Sequence, residues 1–330
     1  MRLTPLLVLT TTTLPAALAW DPLGHQTVGF LAQWYFTPQA SNLINTLLGL
    51  DRDGHNSDSR EITDIGDAAA WADTIRGDSK EGGGGGWGGL PWSKNWHFVN
   101  PPGDDPDRHV CVVDYPSDCS KGTCIIGAIQ NQTAIVLDAS RPTMERRNAT
   151  MFLLHFFGDL HQPLHATGFK YGGNGVRPVT WENSTTTSRR NSTWNLHAVW
   201  DSAIPRKLRG LSEVATPAED KAAAVAWAGD LFARQQGAGV GVDGVCTELD
   251  GPRCVVGWAA ESNALVCSHA LKDGEAWVLK NDLSGAYYEE NAAVVDARVG
   301  VAGVRLAAWM NAIARQLGGE GETEWHDLRR

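Results

Sequence analysis

The sequence predicts an all-α fold, a single domain built of many helices. Three observations predict it. Helical periodicity covers most of the chain, strand-like text is scarce, and neither a linker nor an internal repeat divides the 330 residues. Hydrophobic residues make up 42% of them, enough to bury a sizeable core. In chain order, Thr37-Pro38 reads as a helix N-cap followed by proline at the first helical position. Further helices are expected near 59–75, 125–139, 143–161, 194–203, 218–236, 255–271 and 284–316. Short strands are expected only near 96–99 and 176–182. The Gly-rich run from Gly82 to Gly89, the Pro/Asp stretch from Asn100 to Arg108 and the Ser/Thr/Asn-rich run from Glu182 to Thr193 read as loops.

Residues 1–19 read as an export signal. Arg2 supplies a positive start, an apolar run from Leu6 to Leu18 follows, and Ala17-Leu18-Ala19 fits a small-x-small cleavage site. The mature domain is then expected from Trp20 to residue 330, with a frayed tail after about Leu317. That apolar run is too short for a membrane anchor, and no later window offers about 20 uninterrupted apolar residues. The N-x-[ST] sequons at Asn131, Asn148, Asn183 and Asn191 suit glycosylation of an exported protein. Six cysteines form an even set with no C-x-x-C pair, so disulfides are expected rather than thiolate ligands. Cys119 and Cys124 are spaced to close a small loop. Together these features predict a secreted, extracellular protein with no membrane partner, and a monomer is the expectation.

The formal net charge is −10, and an acidic protein repels phosphate unless something local reverses the field. Metal ligation is one use for the acidic residues. The segment His155-Phe-Phe-Gly-Asp159-Leu-His161-Gln-Pro-Leu-His165 places His155 and Asp159 four apart, on one helix face. So many imidazoles and a carboxylate among Phe and Leu are costly to bury unless something satisfies them. His197 and Asp201, in Asn-Leu-His-Ala-Val-Trp-Asp, repeat the spacing. Imidazole nitrogen with carboxylate oxygen suits a borderline divalent metal, zinc being the commonest. A single His/Asp pair reads equally well as a hydrogen-bonded couple; two pairs with His165 favour metal. His161, close to the helix-stopping Pro163, reads more readily as structural than as a ligand. Asp73, in Ala-Trp71-Ala-Asp73, and His97, in Trp96-His97-Phe98, are further candidates. At the expected mature start, the amine and carbonyl of Trp20 can chelate a metal in a five-membered ring, with His25 close by.

These motifs in this order resemble the secreted single-strand-specific zinc nucleases of the S-one and P-one type, which are related in fold to zinc-dependent phospholipase C. The resemblance covers nearly the whole mature chain. It rests on W-x-x-x-x-H (Trp20, His25), WAD (Trp71 to Asp73), HF (His97, Phe98) and H-x-x-G-D-x-H-Q-P-L-H (His155 to His165). It continues through GGNG (Gly172 to Gly175), N-L-H-x-x-W-D (Asn195 to Asp201), ALVC (Ala264 to Cys267) and RLAAW (Arg305 to Trp309).

The resemblance implies a trinuclear zinc cleft. One zinc would take Asp73, His97, His155 and Asp159. Its neighbour would take the amine and carbonyl of Trp20, His25 and a bridging Asp159, and the third would take His165, His197 and Asp201. The last two sets leave room for water or substrate. It further implies hydrolysis of single-stranded DNA and RNA and of 3′-mononucleotides, with 5′-phosphate products. Asp73 would orient the attacking water, Arg76 would face the developing phosphoryl charge, and Phe98 would stack a base. Asn100 would contact that base, but stands where relatives have an aspartate, which leaves base preference open. The Gly-rich insertion before His97 is another departure. Cys246 and Cys254 look like an additional pair, leaving Cys111 to pair with Cys267. A phospholipase C would share the metals, yet no exposed amphipathic apolar stretch is apparent, and GGNG and NLHxxWD are nuclease-like. A non-catalytic secreted binding protein on the same fold would not need the complete ligand set.

Overall fold

The structure, a computed structural model, describes residues 20–50, 62–75, 90–188 and 192–321. Twelve α-helices occur among them: α1 (Pro22–Gln33), α2 (Pro38–Leu48), α3 (Ile65–Ile75), α4 (Tyr115–Asp118), α5 (Ile125–Leu137), α6 (Thr143–His161), α7 (Leu196–Ala198), α8 (Ile204–Leu208), α9 (Pro217–Gly237), α10 (Arg253–Leu265), α11 (Glu275–Lys280) and α12 (Ala286–Gly321). The all-α expectation is met. Local chemistry explains the starts. Thr37 caps α2 by accepting from Ala40 N, with Pro38 in the first turn, and Gly49 ends the helix at φ 76°. Thr216 and Glu219 form a reciprocal capping box on α9.

Helix α6 is the axis of the molecule. From Ala149 to His161 every residue is buried, and α1, α2, α3, α5, α10 and α12 all pack against it. A helix buried all round must be apolar all round or satisfy its polar groups internally. Phe152, Phe156 and Phe157 meet the first condition, joined in the core by Trp71, Trp258 and Trp309. Each such ring stabilises by roughly 1.5–3 kcal/mol through burial. His155, Asp159 and His161 are the exceptions and are all buried.

The disulfides are Cys111–Cys267, Cys119–Cys124 and Cys246–Cys254. The first ties the loop beyond His97 to a π-helical turn (Val266–Ala270) that continues α10.

Several local expectations fail. Residues 96–99 are not a strand: Pro91–His97 is a 3₁₀ turn, and the chain leaves it extended without a ladder. Residues 176–182 make only isolated bridges, Thr180 to Asp282 and Trp181 to Ser184. The one ladder among the described residues, β1 (Thr186–Thr187) with β2 (Ser192–Thr193), lies inside the expected loop. Helix α1, absent from the expected set, forms where Pro22 opens a run containing His25. Helix α3 begins at Ile65, later than expected, with residues 59–61 outside the described set. The expected export signal, Arg76, the Gly-rich run and Asn191 also lie outside the described residues. No described helix is long and apolar enough to cross a membrane.

Candidate metal centre

Seven pieces of the fold deliver the eight candidate ligands. Helix α6 supplies His155 and Asp159, α3 supplies Asp73, and α1 supplies His25. His97 ends the 3₁₀ turn, and His165 sits on a second one (Pro163–Ala166) that Pro163 starts by stopping α6. His197 lies on α7, and Asp201 on the π-helical turn Val199–Ala203 that follows it.

These eight side chains converge. His25, Asp73 and His155 form one group, His97, His155 and Asp159 a second, and His165, His197 and Asp201 a third; ligand atoms within each lie within 4.8 Å of one another. Asp159 Oδ2 stands 2.9 Å from His97 Nδ1 and 3.1 Å from His155 Nε2. Its Oδ1 stands 3.4 Å from His25 Nε2 and 3.7 Å from His165 Nδ1. Asp159 therefore touches a member of every group, and His155 belongs to two of them. Asp73 Oδ1 lies 3.6 Å from His155 Nε2. Its side chain is 12% exposed while the neighbouring imidazoles are at 0%, so solvent reaches this end of the site beside Asp73.

The donor atoms suit cations. His155 donates Nδ1–H to the Ala69 carbonyl, His165 to the His97 carbonyl and His197 to the Gly172 carbonyl. A carbonyl only accepts, so each neutral ring carries its remaining lone pair on Nε2. The Nε2 atoms of His165 and His197 face one another at 3.1 Å. Two lone pairs at that distance repel, and a cation bound between them turns the contact into shared ligation. Both nitrogens of the fully buried His25 and Oδ1 of Asp159 lack a hydrogen bond, a costly state that a metal relieves.

Charge follows the same pattern. Burial, then the neighbouring His155, lowers the pKa of His25 and keeps its ring neutral. Asp159 is buried, which opposes ionisation, yet His155, His25 and His97 hold it well below the usual carboxylate range. Burial raises Asp201, against the pull of His197 and of Gln162, whose Nε2 donates to Asp201 Oδ1 at 2.6 Å.

Two glycines are required by close approach. A Cβ on Gly158 would lie 2.7 Å from His25 Nδ1. Gly172 adopts φ 64°, and a Cβ there would meet the Leu164 carbonyl at 2.7 Å.

Trp20 is fully buried, and its indole donates to the Gly158 carbonyl beside Asp159. Phe98 is half-buried; the backbone on either side is pinned to His165, which donates to the His97 carbonyl and accepts from Val99 N. Asn100 is exposed. Among the sequons, Asn131 and Asn183 are exposed, whereas Asn148 is half-buried within α6. His161 belongs to none of the three groups: its Nδ1 donates to the Phe157 carbonyl and its Nε2 accepts from Arg305. Ala69, Gly172 and Gln162, which orient the ligands, are the residues that motif reading passes over. Only Gln162 and Gly172 left a trace, as unassigned letters inside HQPLH and GGNG.

The chain matches the family model described as S1/P1 Nuclease over residues 20–315. It is 33% identical to Nuclease S1 of Aspergillus oryzae over 96% of this chain and 99% of that protein. Nuclease P1 of Penicillium citrinum is 32% identical over 89% of this chain and 97% of its own length. Endonuclease 3 of Arabidopsis thaliana is 28% identical over 90% of both. With the match running from the buried Trp20 through every residue of the three ligand groups, the chain belongs to the S1/P1 nuclease family.

Proposed function

We propose that this protein is a secreted, zinc-dependent endonuclease and 3′-nucleotidase that hydrolyses single-stranded DNA and RNA to 5′-phosphate products. The observation that carries the proposal is the convergence of eight buried or nearly buried His and Asp side chains into three groups, with Asp159 in contact with a member of each. Asp73, His97, His155 and Asp159 would hold one zinc; the amine and carbonyl of Trp20, His25 and Asp159 a second; His165, His197 and Asp201 a third. Bound there, zinc polarises phosphoryl oxygens, makes water acidic near neutral pH and offsets the negative charge of the chain locally.

The remaining work falls to the chain itself. Asp73, the ligand carboxylate nearest solvent at this end of the site, accepts a hydrogen bond from the attacking water and aims it at phosphorus. Water attacks in line with the 3′ oxygen; the P–O3′ bond breaks, the oxygen leaves as a 3′-hydroxyl, and the phosphate stays on the 5′ side. Arg76 faces the charge that develops on the phosphoryl oxygens. Phe98, held by its pinned backbone, stacks one base. Such stacking contributes roughly 1–3 kcal/mol and ignores both base identity and the 2′-hydroxyl. A duplex hides its base faces, so single strands are preferred, and the acidic surface offers few Lys/Arg contacts for duplex phosphates.

The test is a digest of matched single- and double-stranded oligonucleotides, DNA and RNA, with product ends identified by mass and zinc counted by elemental analysis. Rapid cleavage of the single strands with 5′-phosphate ends and three zincs per chain is expected. Equal rates on both forms or 3′-phosphate ends overturn the proposal, and hydrolysis of phosphatidylcholine alone points to a phospholipase.

A further inference from the structure

Behind the metal centre lies a second buried charged cluster that no ligand group uses. Arg206, on α8, is 2% exposed. Its Nε donates to Asp21 Oδ2 at 2.7 Å, one terminal nitrogen donates to Asp220 Oδ2 at 2.7 Å, and the other donates to the Ser212 carbonyl at 3.0 Å. Asp21 and Asp220 are buried as well, at 3% and 1% exposed. A buried ion pair is poor evidence of stabilisation for its own sake, because desolvation offsets the attraction. Its best-attested use is to hold one register against others.

What this cluster holds is the start of the domain. Asp21 follows Trp20 directly and occupies the N-cap of α1, where an aspartate ordinarily accepts from the first-turn amides. It makes no such capping bond. Its Oδ2 takes Arg206 and Ser202 Oγ instead, and its amide donates to the Asp201 carbonyl at 3.0 Å. One residue earlier, the Trp20 indole donates to the Gly158 carbonyl. The Trp20–Asp21 backbone is therefore fastened on one side to α6 next to Asp159. On the other it is fastened to the helical segment that carries both Asp201 and Arg206. Asp220, in the first turn of α9, fixes the far side of the guanidinium.

We infer that Arg206 is a positioning residue for the terminal chelate: its bridge from Asp220 to Asp21 sets where the Trp20 amine and carbonyl stand relative to His25 and Asp159. The inference rests on the proposed role of Trp20 as a metal ligand. The planar fork of arginine reaches both carboxylates at once, whereas a lysine ammonium is a point charge that serves one of them well.

The experiment measures zinc per chain, by elemental analysis, across a chelator series for four proteins: the mature protein, Arg206→Lys, Arg206→Met, and a mature chain retaining Ala19 before Trp20. Melting temperature is followed in parallel. Arg206→Lys and Arg206→Met are expected to keep two zincs at the native chelator tolerance and to lose the third at concentrations ~10–100-fold lower, the usual effect of removing a group that orients a ligand. The Ala19-retaining chain is expected to lack that same zinc. Unchanged retention in Arg206→Lys, or loss of all three zincs in step with a fall in melting temperature, overturns the inference. If Arg206→Met does not fold, Arg206→Lys decides by the same criterion. If retained Ala19 costs a zinc while Arg206→Lys costs none, the terminal chelate stands and the role of Arg206 falls. If the Ala19-retaining chain holds three zincs, both fall.

Discussion

His155 and His161 lie on one helix, both fully buried, and they have opposite fates. Burial alone would lower the pKa of His155, but Asp159 and Asp73 outweigh it and raise it. His161 is driven well below its ordinary value by burial and then by Arg298 and Arg305. Arg298 is itself pushed down to about 10 by burial and by Arg305 beside it. One face of α6 thus gathers carboxylates and lone pairs and suits cations. The other carries its own cations, bridged by Glu261, and leaves His161 neutral, a hydrogen-bond acceptor for Arg305. Residue type and burial are the same in both places. The sign of the neighbouring charge separates a candidate ligand from a strut.

The largest expected effect comes from removing the centre of the acidic face. Asp159→Ala should cost two metals at once and lower turnover of single-stranded DNA by ~10⁴-fold or more, the scale of deleting a group on which a whole site depends. Asp201→Ala should cost one metal. Equal losses in the two variants, by elemental analysis, would break the assignment of Asp159 as the shared ligand.

Arg76→Ala should leave all metals in place and lower kcat by ~10²–10³-fold, as for one lost transition-state donor. An unchanged kcat would mean that this arginine faces solvent. Smaller again, Gln162→Leu should weaken only the His165, His197 and Asp201 group, by ~10–100-fold in metal affinity, because it removes the donor that orients Asp201. Uniform weakening of every group would refute that.

The smallest effect tests the arginine face. His161 has a folded pKa below its unfolded value of about 6.5, so it gains its proton on unfolding. The stability it contributes is present above the unfolded pKa and is lost as pH falls below it, by at most ~1.4 kcal/mol per pH unit. His161→Gln should keep its metals and flatten the decline seen by urea unfolding between about pH 7 and 5. An unaltered slope would show that His161 does not change protonation when the chain unfolds.

Much of the site is legible before folding. His155 with Asp159 and His197 with Asp201 are four apart, and helical geometry alone puts each pair on one face. Pro163 announces the break that presents His165, and Thr37-Pro38 announces α2. The strands expected near 96–99 and 176–182 fail because β-rich composition reports suitability for a half-buried surface, and among the described residues neither segment finds a ladder, 176–182 making only isolated bridges. Helix α1 escapes notice because its exposed face is minimal: Leu23 through Gly29 are buried without interruption, so no polar stripe marks the period.

Local chemistry sets the helical class, the Thr37-Pro38 start of α2 and the His/Asp pairs within single helical turns. These depend on neighbours a few residues away, and backbone geometry relates those neighbours in any fold. Packing decides which groups meet at Asp159, how Asp73 and His97 join α6, why His161 lies outside the three groups, and why Asp21 abandons its cap for Arg206. Those outcomes depend on the sign and distance of charges brought together from remote parts of the chain, and packing alone sets both.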